Sequence, residues 1–84
     1  MTNTALLLST LVIRLNRADD AMMSQVFEDY PATPEECQRV HDRLLGAWSE
    51  CLSARRLFSE AERAKMDSLE SRVTFIARGL RTVR

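Results

Sequence analysis

Both prolines of this 84-residue chain fall in one short stretch, residues 30–36 (YPATPEE), and only two glycines stand elsewhere. Proline inside a helix removes a backbone donor and clashes with the preceding turn, so this stretch ends any helix that enters it. It also starts the next one. Thr33 reads as an N-cap, Pro34 as the first helical residue and Glu36 as the capping-box partner three places on. Breakers are rare elsewhere, and no alternation of strand type runs for a useful length. The chain is therefore expected to be all-α and a single domain over 1–84.

Helix 1 is predicted from about 4 to 29. Leu8, Leu11, Leu15, Ala18, Met22 and Val26 recur at spacings of three and four, which is one helical stripe. Leu6, Ile13, Met23 and Phe27 fall outside that stripe, so this helix carries apolar groups on more than one side. Helix 2 is predicted from about 34 to 57, with Cys37, Val40, Leu44, Ala47, Cys51 and Ala54 as its stripe. Leu45, Trp48 and Leu52 widen it. A second capping-box pattern, Ser59 with Glu62, places a turn near 57–59. No Gly, Pro, Asn or Asp supports that turn, so one continuous helix from Pro34 to about 78 is the alternative. Helix 3 is predicted from about 60 to 78, with Met66, Leu69, Val73, Ile76 and Leu80 as a coiled-coil-like repeat and Gly79 as C-cap. Ala61, Ala64, Ser68, Ser71 and Phe75 run along its other side. The expected architecture is a small antiparallel bundle of three helices, or a hairpin with one long second helix, and dimeric in either case.

Size favours association. A chain this short buries only roughly 60–65% of the surface that it exposes unfolded, so its own core is thin. The opening stretch TALLLSTLVIRL (4–15) is mostly apolar. It has no basic region before Arg14 and no small-residue cleavage site, as a secretory leader would. A membrane span needs about 20 apolar residues, and Arg14, Asn16, Arg17, Asp19 and Asp20 interrupt this run. A cytoplasmic protein with no membrane association is expected.

Twelve basic and twelve acidic residues leave no formal net charge, which favours neither nucleic acid nor a membrane surface. Lys65 is the only lysine. Arginine is the basic residue favoured at protein interfaces, and its dominance also fits a bacterial or phage source. The charges are segregated. Asp19, Asp20, Glu28, Asp29, Glu35 and Glu36 are joined by no basic residue between 18 and 37. Arg72, Arg78, Arg81 and Arg84 are joined by no acid from 71 to the end. Part of this is helix-dipole logic, and the remainder suits electrostatic register between protomers or with a partner.

Catalytic and metal chemistry has little to work with. There is one histidine, and Cys37 and His41, four apart, make half a zinc site at most. Cys51 lies about 21 Å further along the same helix, so the two thiols cannot bridge within it and are expected reduced. Adjacent acids such as Asp19–Asp20 and Glu35–Glu36 diverge on a helix rather than converge. No phosphate loop or dinucleotide fingerprint is present. No enzyme, cofactor or metal is expected.

The segment CQRVHDRLLGAWSECLSAR (37–55) resembles the second helix of the Rop-type plasmid RNA-binding helical hairpins. Cys37, His41–Asp42, Trp48, Cys51–Leu52 and Ala54–Arg55 carry the resemblance. It implies a helical hairpin that dimerises and binds RNA. That family binds mainly through a basic, polar first helix. Here helix 1 has no lysine and is far more apolar, so no RNA-contacting residue carries over.

The leading expectation is a non-enzymatic protein-interaction module, a small adaptor, chaperone or inhibitor that forms a homodimer or binds a larger protein. The candidate interface residues are Leu6, Ile13, Met23, Phe27, Trp48, Arg72, Phe75 and Arg78, with Trp48 read either as core or as interface. An RNA- or DNA-binding homodimer using the arginine-rich C-terminal region is the alternative, and a structural assembly subunit is a further one.

Overall fold

The structure, a computed structural model, describes residues 3–27 and 29–81; Glu28 and Arg84 lie outside it. Three helices, α1 (Thr4–Phe27), α2 (Pro34–Ser53) and α3 (Glu60–Arg81), each pack against the other two. No strand occurs among the described residues. No described helix is long and apolar enough to cross a membrane.

α1 starts where the Asn3 side chain accepts from the Leu6 N–H at 3.0 Å, filling one of the orphan donors of a helix start. The chain then leaves α1 through a tied loop. Ser24 Oγ accepts from the Ala32 N–H at 3.0 Å, and Gln25 Nε2 donates to the Ala32 carbonyl at 2.9 Å. Thr33 caps α2 as its sequence predicts, with extended φ −70° and ψ 158°, and its hydroxyl accepts from the Glu36 N–H at 3.2 Å.

The second joint is a real break. α2 ends at Ser53, four residues before the predicted 57, and one 3₁₀ turn follows at Arg55–Leu57. The turn closes through Leu57 N–H to Ala54 O at 2.8 Å and Phe58 N–H to Arg55 O at 3.1 Å. Phe58, only 3% exposed, is drawn into the core, and its burial fixes the bend without glycine or proline. Ser59 and Glu62 then form the reciprocal capping box. The Ser59 N–H reaches Glu62 Oε1 at 2.9 Å, and the Glu62 N–H reaches Ser59 Oγ at 3.2 Å. Arg63 clamps the turn from α3, donating to the carbonyls of Arg55 and Arg56 at 3.1 and 3.0 Å.

The core joins Leu8, Leu11, Leu15 and Ala18 of α1 to Cys37, Leu44, Ala47 and Cys51 of α2 and to Met66, Leu69, Val73, Ile76 and Leu80 of α3. Two expectations are corrected. Val26 is 75% exposed, because it lies one turn beyond Met22, which already packs at Gly79 near the end of α3. Gly79 is no C-cap. α3 runs on to Arg81, no described glycine has positive φ, and Met22 fills the space a Cβ would need.

Candidate interaction surface

α1 has two apolar rows. Leu6 and Ile13 stand two residues before the core positions Leu8 and Leu15, roughly 200° round the helix. The inner row is nearly dry, with Leu11, Leu15 and Ala18 at 0%, while Leu6 is 61%, Ile13 52% and Phe27 75% exposed. Met23 extends this outer set, while Val26, exposed at the end of the inner stripe, and Tyr30, almost wholly open beyond α1, lie off it. Apolar side chains gathered on one helix face are the kind of surface that marks an interface.

α3 presents a second group. Phe75 is 68% exposed, on a ridge otherwise built from Ala61, Ala64, Ser68 and Ser71, all exposed. Arg72 and Arg78 flank it at three residues either side and are exposed as well. The two groups sit on different helices. Between them an open groove of about 580 Å³ runs along α1 and α3, walled by Ala5, Leu8, Val12, Ile13 and Ala61, with Glu62 and Lys65 at its α3 side. Trp48 belongs with neither group. It is half-buried and packs against the core.

Electrostatics divide the surface further. Arg14 and Arg17 of α1 and Arg43 of α2 line one small dent with Val40, and none of the three makes an ion pair among the described residues. Sequence reading did not single out this cluster, because its members are brought together only by the packing of two helices. Arg55 pairs with Asp67 at 2.9 Å, but both are well exposed, and such pairs contribute about 0–1 kcal/mol. The Ser59 N–H and then the Thr4 hydroxyl, 3.2 Å away on α1, hold the Glu62 carboxyl below its ordinary value.

The groups that could carry chemistry are enclosed. Cys37 and Cys51 are free and buried, and burial first, then Glu36 or Glu50 respectively, pushes each thiol up, away from the reactive thiolate. Cys51 Sγ lies 3.6 Å from the Leu7 carbonyl, and Cys37 Sγ 3.7 Å from Gln25 Nε2. His41 is 7% exposed. Its Nδ1 lies 3.1 Å from Asp42 Oδ1, and its Nε2 has no partner among the described residues. The His41 ring and the Gln38 amide together keep the Asp42 carboxyl below its ordinary value. Among the described residues no three of His, Cys, Asp and Glu are grouped to hold a metal ion.

Comparison with protein-family models, with curated proteins and with solved structures gives no match. The likeness of residues 37–55 to the Rop-type hairpins therefore stands on those residues alone.

Proposed function

We propose that this chain is a non-enzymatic protein-interaction module, a small adaptor, chaperone or inhibitor of bacterial or phage type that works as a homodimer and binds a larger protein. Its bundle is antiparallel, as the contact of Cys51 with Leu7 and of Gln25 with Cys37 supports. The carrying observation is Phe75. A large aromatic, 68% exposed on a ridge of small side chains and flanked by two arginines, has the composition of a binding hot spot. The apolar groove between α1 and the N-terminal part of α3 offers room for a partner's helix. The nucleic-acid reading is weaker, because Glu60, Glu62, Asp67 and Glu70 share α3 with its basic residues.

The test is capture from an extract of the source cells by tagged protein, wild type against Phe75→Glu, with helicity followed by circular dichroism. The expected result is a defined protein retained by the wild type and lost by the variant, at unchanged helicity. Binding of RNA or DNA with a steep salt dependence, and no retained protein, would overturn it.

A further inference from the structure

We infer that the outer row of α1 is covered by the same row of a second copy, running antiparallel about a two-fold axis, with Arg17 of each copy against Asp20 of the other. This rests on the interaction-module reading and assigns its self-association face.

The row is Leu6, Thr10, Ile13, Arg17, Asp20, Ser24 and Phe27, alternating four and three residues apart, which is the spacing of a helix–helix contact line. It lies opposite the buried row, and Leu6, Ile13, Arg17, Asp20 and Phe27 are all exposed. Three features say what covers it. First, Arg17 and Asp20 are adjacent in the row, and neither forms an ion pair among the described residues. Second, the order of charges rejects a parallel pairing, which would stack Arg17 on Arg17 and Asp20 on Asp20. Third, one antiparallel register pairs the row from Thr10 to Phe27, with Leu6 beyond the contact. With Arg17 opposite Asp20, symmetry makes the same pair twice, Ile13 meets Ser24 of the second copy, and Thr10 meets its Phe27. Ile13 and Phe27 then each face a small side chain, which leaves room for them between the two helices. Sliding by one heptad toward the N-terminus instead sets Ile13 on Arg17 and leaves Phe27 past the end of the contact. The overlap, residues 10–27, is about 27 Å of helix. Arg17 thereby gains the carboxylate it lacks in its own chain.

Sedimentation equilibrium on the full chain, from low to high micromolar, tests this. The wild type is expected to be a dimer. Arg17→Asp and Asp20→Arg should each weaken it about ten-fold or more, because each puts like charges together in two symmetric layers. The double reversal should return the dissociation constant to within about three-fold of wild type, since the pair is remade with its signs exchanged. Ile13→Glu should give a folded monomer. A folded wild-type monomer throughout, a double reversal no tighter than the single variants, or an intact dimer with Ile13→Glu would overturn the assignment. A wild-type monomer that still retains a protein through Phe75 would remove this face and the homodimer, and leave the binding of a larger protein standing. A dimer with this charge pattern but no Phe75-dependent binding would do the reverse.

Discussion

The two faces of α1 have much the same chemistry and opposite surroundings. Leu8, Leu11 and Leu15 on one side are buried, and Leu6, Ile13 and Phe27 on the other are 52–75% exposed. An 84-residue chain has room for one small core, and α2 and α3 reach only one side of α1. The outer row is thus surplus to folding. Apolar content alone does not separate a core from an interface. The phase of the apolar positions does, once one row is known to be filled. α3 shows the contrast from the other side, because its outer face is mostly small or charged and carries a single large apolar residue, Phe75.

The largest expected effect lies on the inner face. Leu11→Ala removes a wholly buried side chain and should cost about 2–5 kcal/mol by chemical denaturation. Ile13→Ala, two residues on, should cost no more than about 0.5 kcal/mol when measured on dilute protein. If the two changes cost the same, the separation of the faces is wrong. Next in size is the joint that directs α3 onto that inner face. Ser59→Ala removes the hydroxyl bonded to the Glu62 N–H and should cost about 1 kcal/mol.

A helix position that takes part in neither face sharpens the comparison. Gly46 is exposed in the middle of α2 with open space where a Cβ would stand, so Gly46→Ala should stabilise by about 0.5–1 kcal/mol. The smallest effect concerns pH. Glu62 has a lowered folded value, so its contribution is present above the unfolded value of about 4.5 and is lost as pH falls through the folded value. Stability should therefore decline below about pH 4.5, and Glu62→Gln should flatten that decline in acid titrations followed by circular dichroism.

Much of the fold could be read from residue spacing. The inner stripes of all three helices, the Thr33 N-cap and the Ser59–Glu62 capping box follow from periodicity and cap chemistry. The exposure of Leu6, Ile13, Met23 and Phe27 also follows, because they break the phase of a stripe that is already complete. Three things did not follow. The early end of α2 depends on the burial of Phe58, a tertiary contact with no local signature. The exposure of Val26 depends on how far α3 extends beside α1. The grouping of Arg14, Arg17 and Arg43 needs two helices side by side, and spacing along one helix carries no trace of it. Trp48 sat beside the predicted stripe, and packing places it against the core.

The most direct test of the two-faced account of α1 is hydroxyl-radical footprinting of the wild type at high and low concentration. The account predicts that Ile13, Met23 and Phe27 become protected as concentration rises, while Phe75 stays equally reactive. Protection of Phe75 with no change at Ile13 and Phe27 would contradict it.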